Sequence, residues 1–93
     1  MKPDIAHDAV RCRFQTRVEG EHCTLDYTLD AQTMTITHVV VPGPVGGRGI
    51  AAALMEAALT HARTQGWCVV PQCPYAAHYL DEHAGWSDVL VQR

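Results

Sequence analysis

Residues 41–49, "VPGPVGGRG", hold four glycines and two prolines, and the alanine-rich run "IAAALMEAALTHARTQ" follows at once. No other feature constrains the fold as much. Upstream, apolar and polar residues alternate with a period of two; downstream, apolar residues recur at helical spacing, so the chain must pass from strand to helix here. From Gly49 to Gln65, the residues Ile50, Leu54, Met55, Ala57, Ala58 and Ala62 repeat at that spacing, and Gly66 stands where a C-cap glycine belongs. The small alanines let such a helix lie close to a sheet.

"VRCRFQTRVEGEHCTLDYTLD" reads as two strands around a turn. Val10, Cys12, Phe14 and Thr16 share one face, with Arg11, Arg13 and Gln15 on the other. "EGE" at 19–21 supplies the glycine of a tight hairpin, and Cys23, Leu25, Tyr27 and Leu29 then share a face opposite Thr24, Asp26 and Thr28. "DAQT" at 30–33 is the next turn and "MTITHVVVP" a third strand rich in β-branched residues. After the helix, "WCVVP" at 67–71 suits a short buried strand. Pro74 fits the first turn of a second helix, with Cys73 as its N-cap and Gly85 near its end. The tail "WSDVLVQR" is either a final strand or a docking segment. The expected class is α+β (mixed α/β): a three-stranded antiparallel meander followed by helix–strand–helix. No repeat or linker divides the chain, so one domain over residues 1–93 is expected.

A chain of 93 residues buries roughly 60–65% of its unfolded surface, enough for a modest core. The net charge of −3, without a basic run, argues against a nucleic-acid partner. No window approaches a membrane span, and Asp4, His7 and Asp8 interrupt the apolar stretch that a signal peptide needs, so a cytoplasmic protein with no membrane partner is expected. In that compartment Cys12, Cys23, Cys68 and Cys73 are free thiols. A domain this small is a monomer or a homodimer.

A glycine-rich turn entering a helix aims successive backbone N–H groups at one point, a cradle for phosphate or pyrophosphate to which Arg48 adds charge. The alternative is an irregular connector, and composition alone weighs the two equally. A P-loop needs Gly-Lys-Ser/Thr, which "GGRGIA" lacks; Gly46, Gly47 and Gly49 do not fit G-x-G-x-x-G either.

From Met34 to His83, "MTITHVVVPGPVGGRGIAAALMEAALTHARTQGWCVVPQCPYAAHYLDEH" resembles the small single-domain branch of the GNAT-like N-acetyltransferases. Members of that branch read "ITH…VP", then "RGRGIA" opening an alanine-rich helix, then "VxPxCPY" and a short helix ending in His. The resemblance covers more than half the chain and implies a minimal GNAT-like fold. It implies acetyl-CoA as cosubstrate, with the pyrophosphate on the backbone of Gly46, Gly47, Arg48, Gly49, Ile50 and Ala51. The pantetheine arm would lie along Val39, Val40 and Val41, and an amine would accept the acetyl group. The chain departs from the pattern at Gly46, where the wider signature has Arg or Gln, and at residues 83–86, where "HAGW" replaces "HPEY".

Three residues are candidates for the chemistry. Cys73, ahead of Pro74, would place a thiol at a helix N-terminus, where the dipole favours thiolate. The resemblance sets it near the acetyl thioester, as nucleophile, as proton-transfer or positioning group, or as packing residue. Tyr79 is a candidate proton donor to the leaving thiolate, against a half-buried aromatic with its hydroxyl in water. His38 is expected on the face of Met34, Ile36 and Val40, as a packing residue or, from "ITH", a base or substrate contact. A backbone N–H near Val40 or Val41 would serve as oxyanion donor if the strand bulges there. Cys68, Cys73, His78 and His83 fall at five-residue intervals, too spread over strand and helix to converge on zinc, so no metal is expected. The reading is an acetyl-CoA-dependent N-acetyltransferase-like protein acting by direct attack. The alternatives are a non-catalytic acyl-CoA binding module and a thiol redox or metal-binding protein using Cys68 and Cys73.

Overall fold

A computed structural model describes residues 4–90, so Val91–Arg93 of the tail lie outside the described residues. Five strands form one sheet in sequential order: β1 (Ala6–Asp8), β2 (Arg13–Val18), β3 (Glu21–Asp30), β4 (Thr33–Val40) and β5 (Cys68–Pro71). The first four run antiparallel; β4 and β5 are parallel, joined by helix α1 (Ile50–Gln65). Helix α2 (Pro74–Glu82) and a 3₁₀ turn (Ala84–Val89) follow, and Leu90 makes one parallel bridge to Val69.

The meander thus has four strands rather than three, and its first expected strand is shorter. Asp8 accepts the Arg11 N–H at 3.1 Å, a local turn that diverts the chain before Arg13. Cys12 sits at φ 54, and Val10, expected on the inner face, is 95% exposed. β1 escapes a pattern search because it has only three residues, two of them His7 and Asp8. The β2–β3 hairpin is as read: Val18 pairs with Glu21 across a two-residue turn whose members Glu19 and Gly20 have φ 51 and 80. Positive φ at both positions matches the right-handed strand twist.

The inner face presents Phe14, Cys23, Leu25, Tyr27, Met34 and Ile36 to α1, whose buried residues are Ile50, Leu54, Met55, Ala58, Leu59 and Ala62. Ala58 and Ala62 are fully buried, so the helix backbone comes close to the strands. Each fully buried Leu of this face contributes about 1.5–3 kcal/mol. At the edge of the core His7 lies flat on Phe14, with ring centroids 4.1 Å apart, and its Nε2 is 2.6 Å from the Tyr27 hydroxyl. Burial, then the neighbouring His61, lowers the His7 pKa. Helix α2 starts at Pro74 behind Cys73, as expected, but ends at Glu82 with His83 as its C-cap, and Gly85 lies in the following 3₁₀ turn.

Candidate functional site

β4 carries one extra residue opposite β3. Asp26 pairs with His38 and the next residue, Tyr27, pairs with Ile36, so Thr37 is the bulge. Its hydroxyl donates to the Asp26 carbonyl at 3.3 Å. The insertion reverses the side-chain alternation: Met34 and Ile36 face the core, and beyond the bulge Val39 and Val41 do, while His38 and Val40 turn outward. The expectation that His38 shares the Met34–Ile36 face is therefore corrected. Period-two reading runs straight through a bulge and comes out on the wrong side.

The bulge also turns the backbone. Tyr27 donates its N–H to the Cys12 carbonyl at 3.0 Å, so its backbone faces β2, while Asp26 and Thr24 face β4. Opposite them, His38 and Val40 face β3, and alternation points the N–H and C=O of Val39 the other way. On that side β5 has already left. Its pairing with β4 stops at Ile36 and Pro71, and Gln72 and Cys73 both donate to the Ile36 carbonyl, at 3.1 and 3.0 Å. The two parallel strands part there, α2 begins on one side of the gap, and Val39 lines the other.

The same end of the sheet feeds the glycine stretch. Gly43–Val45 form a 3₁₀ turn anchored by the fully buried Val45. Gly47 and Gly49 then both adopt φ 78, a region that strains any residue with a Cβ. Gly46, at φ −67, requires no glycine on this ground. Gly49 is the N-cap of α1, no side chain caps the helix, and Ala53 is the residue whose N–H reaches the Gly49 carbonyl, at 3.0 Å. The amides of Ile50, Ala51 and Ala52 therefore have no acceptor within the helix. Arg48, between the two left-handed glycines, forks onto Glu19 of the β2–β3 turn, Nη2 to Oε1 at 3.3 Å and Nη1 to Oε2. That hydrogen-bonded pair holds the Glu19 carboxyl below its ordinary range and raises Arg48. Sequence reading missed Glu19, because nothing local marks a partner 29 residues from Arg48.

Cys73 and Tyr79 are both in the core cluster, 8% and 7% exposed, whereas His38 is exposed on the outward face. Tyr79 is stacked on His83 with centroids 3.9 Å apart, and the His83 Nδ1 lies 2.7 Å from the Tyr79 carbonyl. A carbonyl only accepts, so Nδ1 carries the proton in that bond. Tyr75 stands 6.3 Å from Tyr79, and burial, then Tyr79, pushes its phenol up. Cys68 is exposed and His78 pairs with Glu82 at 3.0 Å. Among the described residues no three His, Cys, Asp or Glu side chains gather as a metal site.

The family model of the GCN5-related N-acetyl-transferases matches residues 13–89. The solution structure of a GCN5-like candidate N-acetyltransferase from Staphylococcus aureus has the same fold. It superimposes with a TM-score of 0.78 at 22% identity, over 99% of this chain and 91% of that one. The chain belongs to the GCN5-related N-acetyltransferase family, whose members draw the acetyl group from acetyl-CoA and pass it to an acceptor. No helix among the described residues is long and apolar enough to cross a membrane.

Proposed function

We propose that this protein, as one domain over residues 1–93, binds acetyl-CoA across the N-terminus of α1 and the gap between β4 and β5, and acetylates an amine by direct attack. The observation that carries the reading is the parting of the two parallel strands at Ile36, with a helix start that no side chain caps at the same end of the sheet. Amides from Gly46 to Ala51 hold the pyrophosphate, with Gly47 and Gly49 letting the backbone approach it. The pantetheine arm runs along Val39, Val40 and Val41. An extended thioester chain can take the hydrogen bonds that Val39 would otherwise lack.

The neutral amine attacks the thioester carbon; as the C–N bond forms, charge moves to the carbonyl oxygen. The Val39 N–H is the donor in place to meet that charge, one residue before the position expected from sequence. Collapse breaks the C–S bond, and the departing thiolate takes a proton from Tyr79, on the α2 side of the gap. Cys73 positions the thioester by packing, and its burial favours this over a covalent acetyl-cysteine. His38, turned outward beside the bulge, receives the amine proton from the acceptor side. The acceptor is a small polyamine, a protein terminus or a lysine. The protein works in the cytoplasm as monomer or homodimer, without nucleic acid, membrane or metal.

Calorimetry with acetyl-CoA, then labelled acetyl-CoA with a panel of amines, tests the reading. Binding and labelled amide are expected; no binding at millimolar ligand sinks it, and binding without transfer leaves an acyl-CoA binding module. Loss of turnover in Cys73→Ala with a labelled cysteine in the wild type would establish the covalent route instead.

A further inference from the structure

Resting on the acetyl-CoA reading above, we propose that Glu19 is an intramolecular competitor of the ligand: its carboxylate occupies Arg48 in place of a ligand phosphate, which must displace it, so that acetyl-CoA binds more weakly than the cradle alone would allow. Glu19 is held at φ 51 in a two-residue turn whose register is fixed by the pairing of Val18 with Glu21. Its side chain meets both terminal nitrogens of Arg48, one at 3.3 Å and the other closer. Arg48 sits in the segment whose amides form the cradle, between Gly47 and Gly49, both at φ 78.

The guanidinium fork that fits a carboxylate also fits a phosphate, so Glu19 presents the same planar pair of oxygens that a phosphate would bring. The exchange is accessible because the pair is exposed, with side chains 45% and 63% accessible for Arg48 and Glu19. A pair in water holds weakly, and a more highly charged anion competes well for it. An uncharged acyl thioester offers Arg48 nothing and leaves it on Glu19. Glu19 also places a negative charge beside the cradle, which opposes an anionic ligand and leaves an uncharged one unaffected. The arrangement therefore lowers the affinity for acyl donors with a phosphorylated handle and leaves the bare acyl-pantetheine unit untouched.

Isothermal titration of the full chain with acetyl-CoA and with S-acetylpantetheine, in wild type, Glu19→Gln, Arg48→Gln and the double variant, tests this. Glu19→Gln should bind acetyl-CoA roughly two- to five-fold tighter, the range of an exposed ion pair, and S-acetylpantetheine unchanged. Arg48→Gln should weaken acetyl-CoA, and the double variant should match Arg48→Gln, because the effect of Glu19 runs through Arg48. Glu19→Asn, whose residue tolerates positive φ, should repeat the Glu19→Gln result and guards against a misfolded turn. Unchanged or weaker acetyl-CoA binding in both Glu19 variants overturns the proposal alone, as does an equal gain in the Arg48→Gln background. Failure of the wild type to bind acetyl-CoA removes the cradle reading and this inference with it.

Discussion

The two ends of α1 share a backbone conformation and differ in what surrounds it. Gly49 before the helix has φ 78 and Gly66 after it φ 75. At the C-terminal end backbone and side-chain bonds close the helix. The Gly66 N–H reaches the Ala62 and Arg63 carbonyls, and the Trp67 N–H reaches Ala62 at 2.8 Å, which closes the last turn. Arg63 donates to Asp88 at 3.0 and 2.5 Å and to the Gly85 carbonyl at 2.9 Å, and its guanidinium lies 4.2 Å from the centre of Trp86. The N-terminal end has no side-chain cap at all. Ser, Thr, Asp or Asn at an N-cap stabilises a helix by about 1 kcal/mol over Ala, and glycine recovers most of that, so a bare glycine start costs little stability and keeps the amides open. One end is closed within the protein; the other keeps the open amides that the proposed acetyl-CoA cradle requires.

Matched substitutions break the comparison most sharply. Gly49→Val and Gly66→Val each put a β-branched residue into the left-handed region, costing about 1–2 kcal/mol. Neither added Cβ meets an atom within 4 Å, so the left-handed backbone is the cost the two sites share. Denaturant melts should show similar losses for the two. Titration should separate them: Gly49→Val loses at least about ten-fold in acetyl-CoA affinity as the amides are re-aimed, roughly 1.4 kcal/mol, while Gly66→Val binds normally once folded. Equal binding losses at both ends would mean that the N-terminal end has no special role.

A middling effect is expected from Gly46→Arg. The wider family signature has Arg or Gln there, and φ −67 with ψ 157 suits any residue. A Cβ at that position comes within 3.3 Å of the Gly43 carbonyl oxygen, so the 3₁₀ turn must give by a few tenths of an ångström. The added guanidinium should tighten acetyl-CoA a few-fold, with stability changed by less than about 1 kcal/mol. Weaker binding would show that the turn shifts rather than the ligand gaining a contact.

This contrast was half legible in the sequence. Gly66, the helical spacing of α1 and the Cys73–Pro74 start of α2 are local signals, and each appears where reading placed it. The strand parting and the bulge are not local. Thr37 looks like any strand threonine, and only its register against Asp26 and Tyr27 shows that it is extra. That single insertion moved His38 to the outward face and put Val39, rather than Val40, at the gap. β1 was missed because three residues hold too little pattern, and Glu19 because ion pairs across 29 residues leave no trace in composition.

The smallest effect is electrostatic and separates the ends once more. Hydrogen bonds from Arg63 and Arg48 hold Asp88 and Glu19 below their ordinary values of 3.8 and 4.5. A carboxylate whose folded value is depressed stabilises the fold above its unfolded value and loses that contribution as pH falls through the folded one. Melting temperatures should therefore drop on acidification below about pH 4.5. The drop should be modest and weakened by salt, because both pairs are exposed. Asp88→Asn and Glu19→Gln should each flatten this acid limb in the free protein. With saturating acetyl-CoA the Glu19→Gln difference in slope should vanish, because the phosphate has already taken Arg48, whereas the Asp88→Asn difference should persist. If the ligand leaves both slopes alone, Arg48 stays on Glu19 in the complex, and the N-terminal end is as closed as the C-terminal one.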